Sequence, residues 1–481
     1  MKDFITGNLE EIEFLDRDVF VKRLSGELSL GAGVLSYFSV KYKEGIKLFV
    51  FLLKKSGEIE FFSCKADSKM PSLTPFYPQL HLFEREISEK TGIIFEGHPL
   101  PNPVRYENGL TASSGSYFKV QGNEIHEVAV GPVHAGVIEP GHFRFQCLGE
   151  NVFHLQIELG YQHRGIENAV ISVDKKRMLP MIETAAGDTS IGHAWTYAKI
   201  TEALCEVQIS KRASFLRGAA LELERLANHI GDLGALSGDV AYLPTANFCG
   251  RIRGEILNIT ALLCGNRFGR NFIIPGGVEY DVDDKLIKEI MSRLDSAYED
   301  AVSAISLLWE RKTVLDRFEK TGIVSLEKAL KLRLVGPAGR ASGIDCDLRK
   351  IFKSEPYEDF ESEPLTLNGD VFSRAYIRWM EIKKSYKLIK NWLSRLPQGE
   401  ITLEIGPFKK NSFALALTEG WRGEICHVCF TDDKGEISFY KIKDPSFHNW
   451  QGLAMALRNA QISDFPLCNK SFNLSYCGHD L

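Results

Sequence analysis

The chain has 481 residues, 44% hydrophobic and 25% charged, which is the usage of a folded protein of about two to four domains and not of a disordered, collagen-like or polytopic membrane chain. With 58 Lys plus Arg against 63 Asp plus Glu the net charge is -5, so the basic excess that nucleic acid requires is missing and no nucleic acid partner is expected. No apolar run approaches the roughly 18 residues of a bilayer span, residues 1–10 carry no signal-peptide pattern, and ten scattered cysteines suit reduced thiols, so a cytoplasmic chain without direct membrane insertion is expected.

In chain order, 47–53 and 57–62 read as short strands joined by a turn, and 79–90 as a charge-rich helix, together a small α+β domain. Pro99, Pro101 and Pro103 disfavour helix and mark a linker, which divides the chain into 1–106 and 107–481. Strands at 124–130, 142–148 and 152–159 open the second part as a β ribbon. From Glu167 the period becomes helical, clearest in Phe215, Leu216, Ala219, Ala220, Leu223, Leu226, Ala227 and Ile230, a face expected in the core. Helices follow at 251–263, 283–312 and 371–393, and strands return at 413–417, 424–430 and 437–442. The expected fold class is α+β, a small N-terminal α+β domain joined to a mainly helical domain flanked by β ribbons.

Several local patterns invite chemistry that their context does not support. Cys426 and Cys429 have metal-ligand spacing, but in a strand residues three apart face opposite sides, so the pair reads as structural. His126, His134 and His142 recur every eight residues with turns between them, and isolated polar roles are preferred to a metal site. Gly31-x-Gly33 lacks the third glycine of a dinucleotide fingerprint and reads as a turn. Gly336-Pro337-Ala338-Gly339-Arg340 has neither the lysine nor the hydroxyl of a phosphate loop and reads as a bend before a helix. Glu222, Glu224, Arg225, Asn228 and His229 are expected on a solvated face with local ion pairs.

Longer motifs carry a resemblance. Phe83-Glu84-Arg85-Glu86 followed by residues 92–99 resembles the closing signature of the C-type subunit of respiratory complex I. The larger part resembles the complex I D-type subunit and, more closely, the large subunit of membrane-bound group 4 nickel-iron hydrogenases such as formate hydrogenlyase. The matching residues are Gly131-Pro132-Val133-His134, the runs 161–167 and 222–232, 265–270, 275–278, 340–343, Gly369-Asp370-Val371 and Asp444-Pro445. The resemblance implies a fused C-plus-D subunit of a membrane-associated, complex-I-like or hydrogenase-related oxidoreductase. Its implied partners are an iron-sulfur small subunit carrying the clusters, and antiporter-like and channel-like membrane subunits that hold it at the cytoplasmic face of the inner membrane. In complex I the nicotinamide nucleotide binds another subunit, so no tightly bound cofactor is expected here.

In the hydrogenases two Cys-x-x-Cys pairs hold nickel and iron, because such a centre needs soft, deprotonated sulfur. Anchoring on His193 and Tyr197 puts the first pair on Ala186 and Thr189; anchoring on Asp444-Pro445 puts the second on Ser446 and Asn449. None supplies a thiolate, so no nickel-iron centre and no hydrogen activation are expected, and residues 471–481 are expected to stay attached. Complex I bounds its quinone head-group site with a histidine, matched by His134, and a tyrosine, whose position falls on Gly187. A quinone is therefore one candidate acceptor, with Asp188 or His193 as proton donors. His163, Arg164 and Glu167 match positions that face the cavity or the iron-sulfur subunit. Cys468 and Cys477 as substitute ligands, or another metal on His134, His193 or His448, are weaker readings. A non-catalytic scaffold bridging the iron-sulfur subunit and the membrane arm is the alternative: a packed cavity around Ala186 and Ser446 would favour it, and an open channel to His134 would favour the enzyme.

Overall fold

The computed structural model describes residues 2–107, 117–134, 138–362 and 367–481. The chain opens with β1 (Phe4–Asn8) and β2 (Glu13–Leu15), then α1 (Arg17–Ser29), the hairpin β3 (Gly33–Tyr42) and β4 (Gly45–Leu53), β5 (Ile59–Lys65), β6 (Lys69–Pro71), α2 (His81–Thr91) and β7 (Ile94–Glu96). A sheet of order β2-β5-β4-β3 results. Its period-two pattern gives it two apolar faces. Val34, Leu48, Val50, Leu52 and Phe62 pack with Phe20 and Leu24 of α1 and Phe83 of α2, whereas Leu35, Phe38, Phe49 and Phe51 point the other way.

A ribbon of β8 (His126–Val130), β9 (His142–Leu148) and β10 (Asn151–Glu158) leads into the helices. These are α3 (Ile166–Ser172), α4 (Lys175–Ile182), α5 (Ser190–Cys205), α6 (Lys211–Asp239) and α7 (Leu243–Cys264); after the short strands β11 (Ile273–Ile274) and β12 (Gly277–Val278) come α8 (Asp284–Glu310), α9 (Lys312–Phe318), α10 (Leu326–Leu332), α11 (Gly336–Ala341), α12 (Leu348–Phe352) and α13 (Val371–Ser394). The chain closes with β13 (Ser412–Gly420), β14 (Gly423–Thr431), β15 (Ile437–Lys443), α14 (Pro445–Ala456), α15 (Phe465–Phe472) and α16 (Tyr476–Asp480). Among the described residues no helix is long and apolar enough to cross a membrane.

β1 does not join the N-terminal sheet. It pairs antiparallel with β13, Phe4 opposite Ala416, and completes a second sheet of order β1-β13-β14-β15. The two sheets meet face to face, with Phe38 stacked on Phe439 at 4.8 Å and Phe49 edge-on to Phe430 at 5.1 Å. The second sheet turns its other face to the helices, so Cys426 lies in the inter-sheet core and Cys429 in the helical core. Burial pushes the Cys426 thiol up to about 12 and the Cys429 thiol higher still, which makes both inert packing groups.

The helix α6 runs through the centre of the molecule against α5, α7 and α13. Here the structure corrects an expectation: Glu222, Glu224, Arg225, Asn228 and His229 do not form a solvated face, since none is more than 8% exposed. The same polar spacing is compatible with water or with counter-ions from neighbouring elements, and here the counter-ions are supplied. Glu222 accepts from Arg225 at 3.1 Å, Arg349 at 3.1 Å, Tyr357 at 2.7 Å and Ser385 at 2.5 Å, and His229 pairs with Glu381 at 2.8 Å.

Candidate functional site

Two segments far apart in sequence meet beneath the second sheet: the turn 185–189 with the start of α5, and the junction of β15 with α14. The N-terminus of α5 is closed by Glu224 of α6, whose carboxylate accepts the N–H groups of Ile191 at 2.7 Å and Gly192 at 3.2 Å. Burial outweighs those bonds and, with Asp188 adding to it, pushes the Glu224 carboxyl up to about 8. The start of α14 is capped by Asp444, which accepts the Ser446 N–H at 2.8 Å, with Pro445 in the first turn.

His193, in the first turn of α5, joins the two segments. Its Nε2 lies 3.2 Å from Asp444 Oδ2 and its Nδ1 lies 3.1 Å from His427 Nε2; His427 Nδ1 is 2.9 Å from the Tyr440 hydroxyl. All four side chains are buried. With both imidazoles neutral, one set of tautomers satisfies every contact: Tyr440 O–H donates to His427, His427 Nε2–H to His193, and His193 Nε2–H to Asp444. Burial, reinforced by His193, holds His427 well below the ordinary imidazole range. Burial works against the Asp444 carboxylate, yet His193 and Arg422 hold it below its ordinary value.

The residues at the four positions expected to match thiolate ligands are spent on the protein itself. Arg422 grips Asp188 bidentately at 2.5 and 2.8 Å, donates to Thr189 Oγ1 at 3.2 Å, and stacks on the Trp421 ring at 3.9 Å. Trp421 Nε1 also donates to Thr189 Oγ1, at 3.1 Å. Ser446 Oγ accepts the Ser475 N–H at 2.9 Å, and Asn449 closes on the backbone of Val335, accepting its N–H at 3.0 Å and donating to its carbonyl at 3.1 Å. Ala186 offers a methyl group in the core. One methyl and three satisfied hard donors do not fit a nickel-iron centre. Gly187 differs from its neighbours: it is exposed, and a Cβ there would meet nothing within 4 Å.

The remaining predicted residues make contacts of their own. His134 is half-buried beside the ribbon, its Nε2–H donating to the Gly141 carbonyl at 2.8 Å and its ring resting against Phe143. His163 contacts the Asp480 carbonyl through Nδ1 at 2.8 Å. Arg164 is exposed and donates to the carbonyls of Thr184 at 2.7 Å and Cys477 at 2.9 Å, tying the turn to α16. Glu167 is internal: it accepts from Lys90 at 2.7 Å and from the Ile442 N–H at 3.0 Å, and faces Lys441 at 2.9 Å. His448 points its Nε2 at two cations, Arg333 at 3.1 Å and Lys443 at 2.8 Å, and is held neutral by burial and by those charges. Cys468 is buried beside Arg374, while Cys477 sits by Ser475 at 3.3 Å. Among the described residues no group of three or more His, Cys, Asp and Glu side chains is arranged to hold a metal ion.

Sequence reasoning did not single out Trp421 and Arg422, although an aromatic and a cation between Gly420 and Gly423 at a hairpin turn were a readable signal. His427 was hidden inside the Cys-x-x-Cys, and Tyr440 had no signal, because only the pairing of β14 with β15, with Tyr440 opposite Cys429, brings it diagonally beside His427.

Residues 25–110 match the family described as respiratory-chain NADH dehydrogenase, 30 Kd subunit, and residues 239–412 match respiratory-chain NADH dehydrogenase, 49 Kd subunit. Carbon monoxide-induced hydrogenase of Rhodospirillum rubrum is 30% identical over 354 residues, covering 72% of this chain and 97% of that protein. The D-type NADH-quinone oxidoreductase subunit of Desulforamulus reducens is 31% identical over 319 residues, 66% of this chain and 87% of that protein. Hydrogenase-4 component G of Escherichia coli is 27% identical over 441 residues, 85% of this chain and 76% of that protein. Among solved structures, a chain of the membrane-bound sulfane sulfur reductase, an archaeal respiratory membrane complex, shares the fold with a TM-score of 0.69 at 20% identity, covering 74% of this chain and 99% of that chain.

Proposed function

Because the chain belongs to the family of the 30 and 49 kDa subunits of respiratory NADH dehydrogenase and of the related membrane-bound hydrogenase large subunits, we propose that it is a subunit of a membrane-associated, complex-I-like oxidoreductase. In this reading an iron-sulfur small subunit docks on one side, antiporter-like and channel-like membrane proteins lie on the other, and the chain sits peripherally at the membrane through them. The metal cavity of the hydrogenases has become a packed joint. The observation that carries this is the closure of Thr189, Ser446 and Asn449 on protein donors and acceptors, with the Asp188–Arg422 pair between the two segments. The chain's contribution is then architectural: it fixes the surface that receives the small subunit relative to the membrane arm.

A second reading, reduction of a quinone, is favoured by the open wall at Gly187. There His134 would bind the head group, and Asp188 or His193 would return protons. Replacing His134 by alanine in the purified complex separates the two. Under the architectural reading, quinone-linked turnover of the complex is unchanged and nickel is absent from the chain. Loss of turnover with the complex intact would instead put His134 in the reaction, and stoichiometric nickel would refute both.

A further inference from the structure

A cavity of about 700 Å³ lies away from the joint, between the N-terminal sheet and the segment from α10 to α12. Its size falls within the roughly 300–1,000 Å³ of small-molecule sites. One wall is aliphatic, from Leu53, Leu334 and Ile351. The rim carries two exposed large apolar side chains, Phe76 at 76% and Leu330 at 54%.

The Gly31-x-Gly33 pair, unexplained by any nucleotide motif, gains a role here. A Cβ at Gly31 would lie 2.4 Å from Lys55 Cε and 2.8 Å from its Nζ, so the absent side chain lets Lys55 fold back over the turn and line the cavity. A Cβ at Gly33 would lie 1.8 Å from Arg333 Nε, so the second glycine lets the arginine lie across the start of β3. Arg333 is neutralised by Glu424 at 2.8 Å, whereas Lys55 has no ion pair among the described residues. The cavity therefore offers one unneutralised cation beside an aliphatic wall and an apolar rim.

We propose that this cavity binds a single-chain amphipathic acid, its carboxylate against Lys55 and its alkyl chain along Leu53, Leu334 and Ile351 toward Phe76 and Leu330. A compact phosphate ester would leave the wall and rim unused, and a neutral quinone would leave the charge of Lys55 without a counter-ion.

The test is calorimetric titration of the full-length chain, in detergent-free buffer below micellar concentrations, with octanoate, decanoate and dodecanoate. Affinity is expected to rise about fourfold per methylene, dodecyltrimethylammonium is expected to bind at least about tenfold more weakly than dodecanoate, and Lys55→Glu and Leu330→Asp are each expected to weaken dodecanoate at least about tenfold with the melting temperature unchanged. Both positions are exposed, so neither variant threatens the fold. No dodecanoate binding, no dependence on chain length, equal binding of the cationic amphiphile, or binding indifferent to both substitutions would overturn the proposal.

Discussion

Glu224 shows how a single carboxyl is pulled in two directions. The N-terminus of α5 offers it two N–H donors, which favour the anion, yet complete burial wins and pushes it up to about 8. A carboxyl raised in the folded state binds its proton more tightly there than in the unfolded chain, so its contribution to stability is whole below the ordinary value of 4.5 and is lost as pH rises toward about 8. Glu183, raised to about 7 by burial, acts in the same window. Glu224→Gln keeps an acceptor for the helix and removes one titration. The variant is therefore expected to lose less stability than the parent between pH 5 and pH 8, by a few kcal/mol at most, as read from melting temperatures across that range; a parallel pair of profiles would show that Glu224 is ionised throughout. None of this was legible in the sequence, where Glu224 looked like a partner for water on an exposed face. Amphipathic spacing records which positions are polar, and it is silent on whether their partners are solvent or arginines arriving from more than a hundred residues away.

At the scale of elements, legibility followed locality. The helix α8 begins one residue after Asp283, whose side chain accepts the Leu286 N–H at 2.7 Å, and the acidic run 281–284 announced it. β13, β14 and β15 fall within a few residues of their alternating patterns, because each is joined to the next by a short turn. β1 was missed since its partner strand begins more than 400 residues later, and no local pattern encodes such a pairing. Gly336 belongs to the same scale. It sits at φ +61 at the start of α11, and a Cβ there would lie 2.1 Å from the Arg422 carbonyl, so the glycine sets how closely α11 approaches the turn that carries Trp421 and Arg422. Gly336→Ala is expected to cost about 2 kcal/mol or more and to shift the fluorescence of the protein through Trp421. An unchanged melting temperature and spectrum would show that the turn adapts freely and that the joint is less rigid than its hydrogen bonds imply.

Across the whole molecule, the N-terminal and C-terminal regions are locked together at several depths. β1 is stitched into the last sheet, the two sheets share an aromatic core, and a buried cluster unites Glu86 and Lys90 of α2 with Arg105, Glu167 and Lys441. The last residues are part of the same construction, with Asp480 accepting the N–H groups of Gly160 and Gln162, both at 2.8 Å, and the Leu481 carbonyl accepting that of Arg164 at 2.7 Å. A body so braced suits a part that must hold other subunits in register, and the closed joint at Asp188, Arg422, His193 and Asp444 extends the bracing between the start of α5 and the junction of β15 with α14. Affinity purification of the tagged chain from gently solubilised native membranes, with mass spectrometry of what accompanies it, tests that role most directly. Recovery with an iron-sulfur small subunit and antiporter-like membrane proteins is the predicted result, and recovery of the chain alone from the soluble fraction would contradict it.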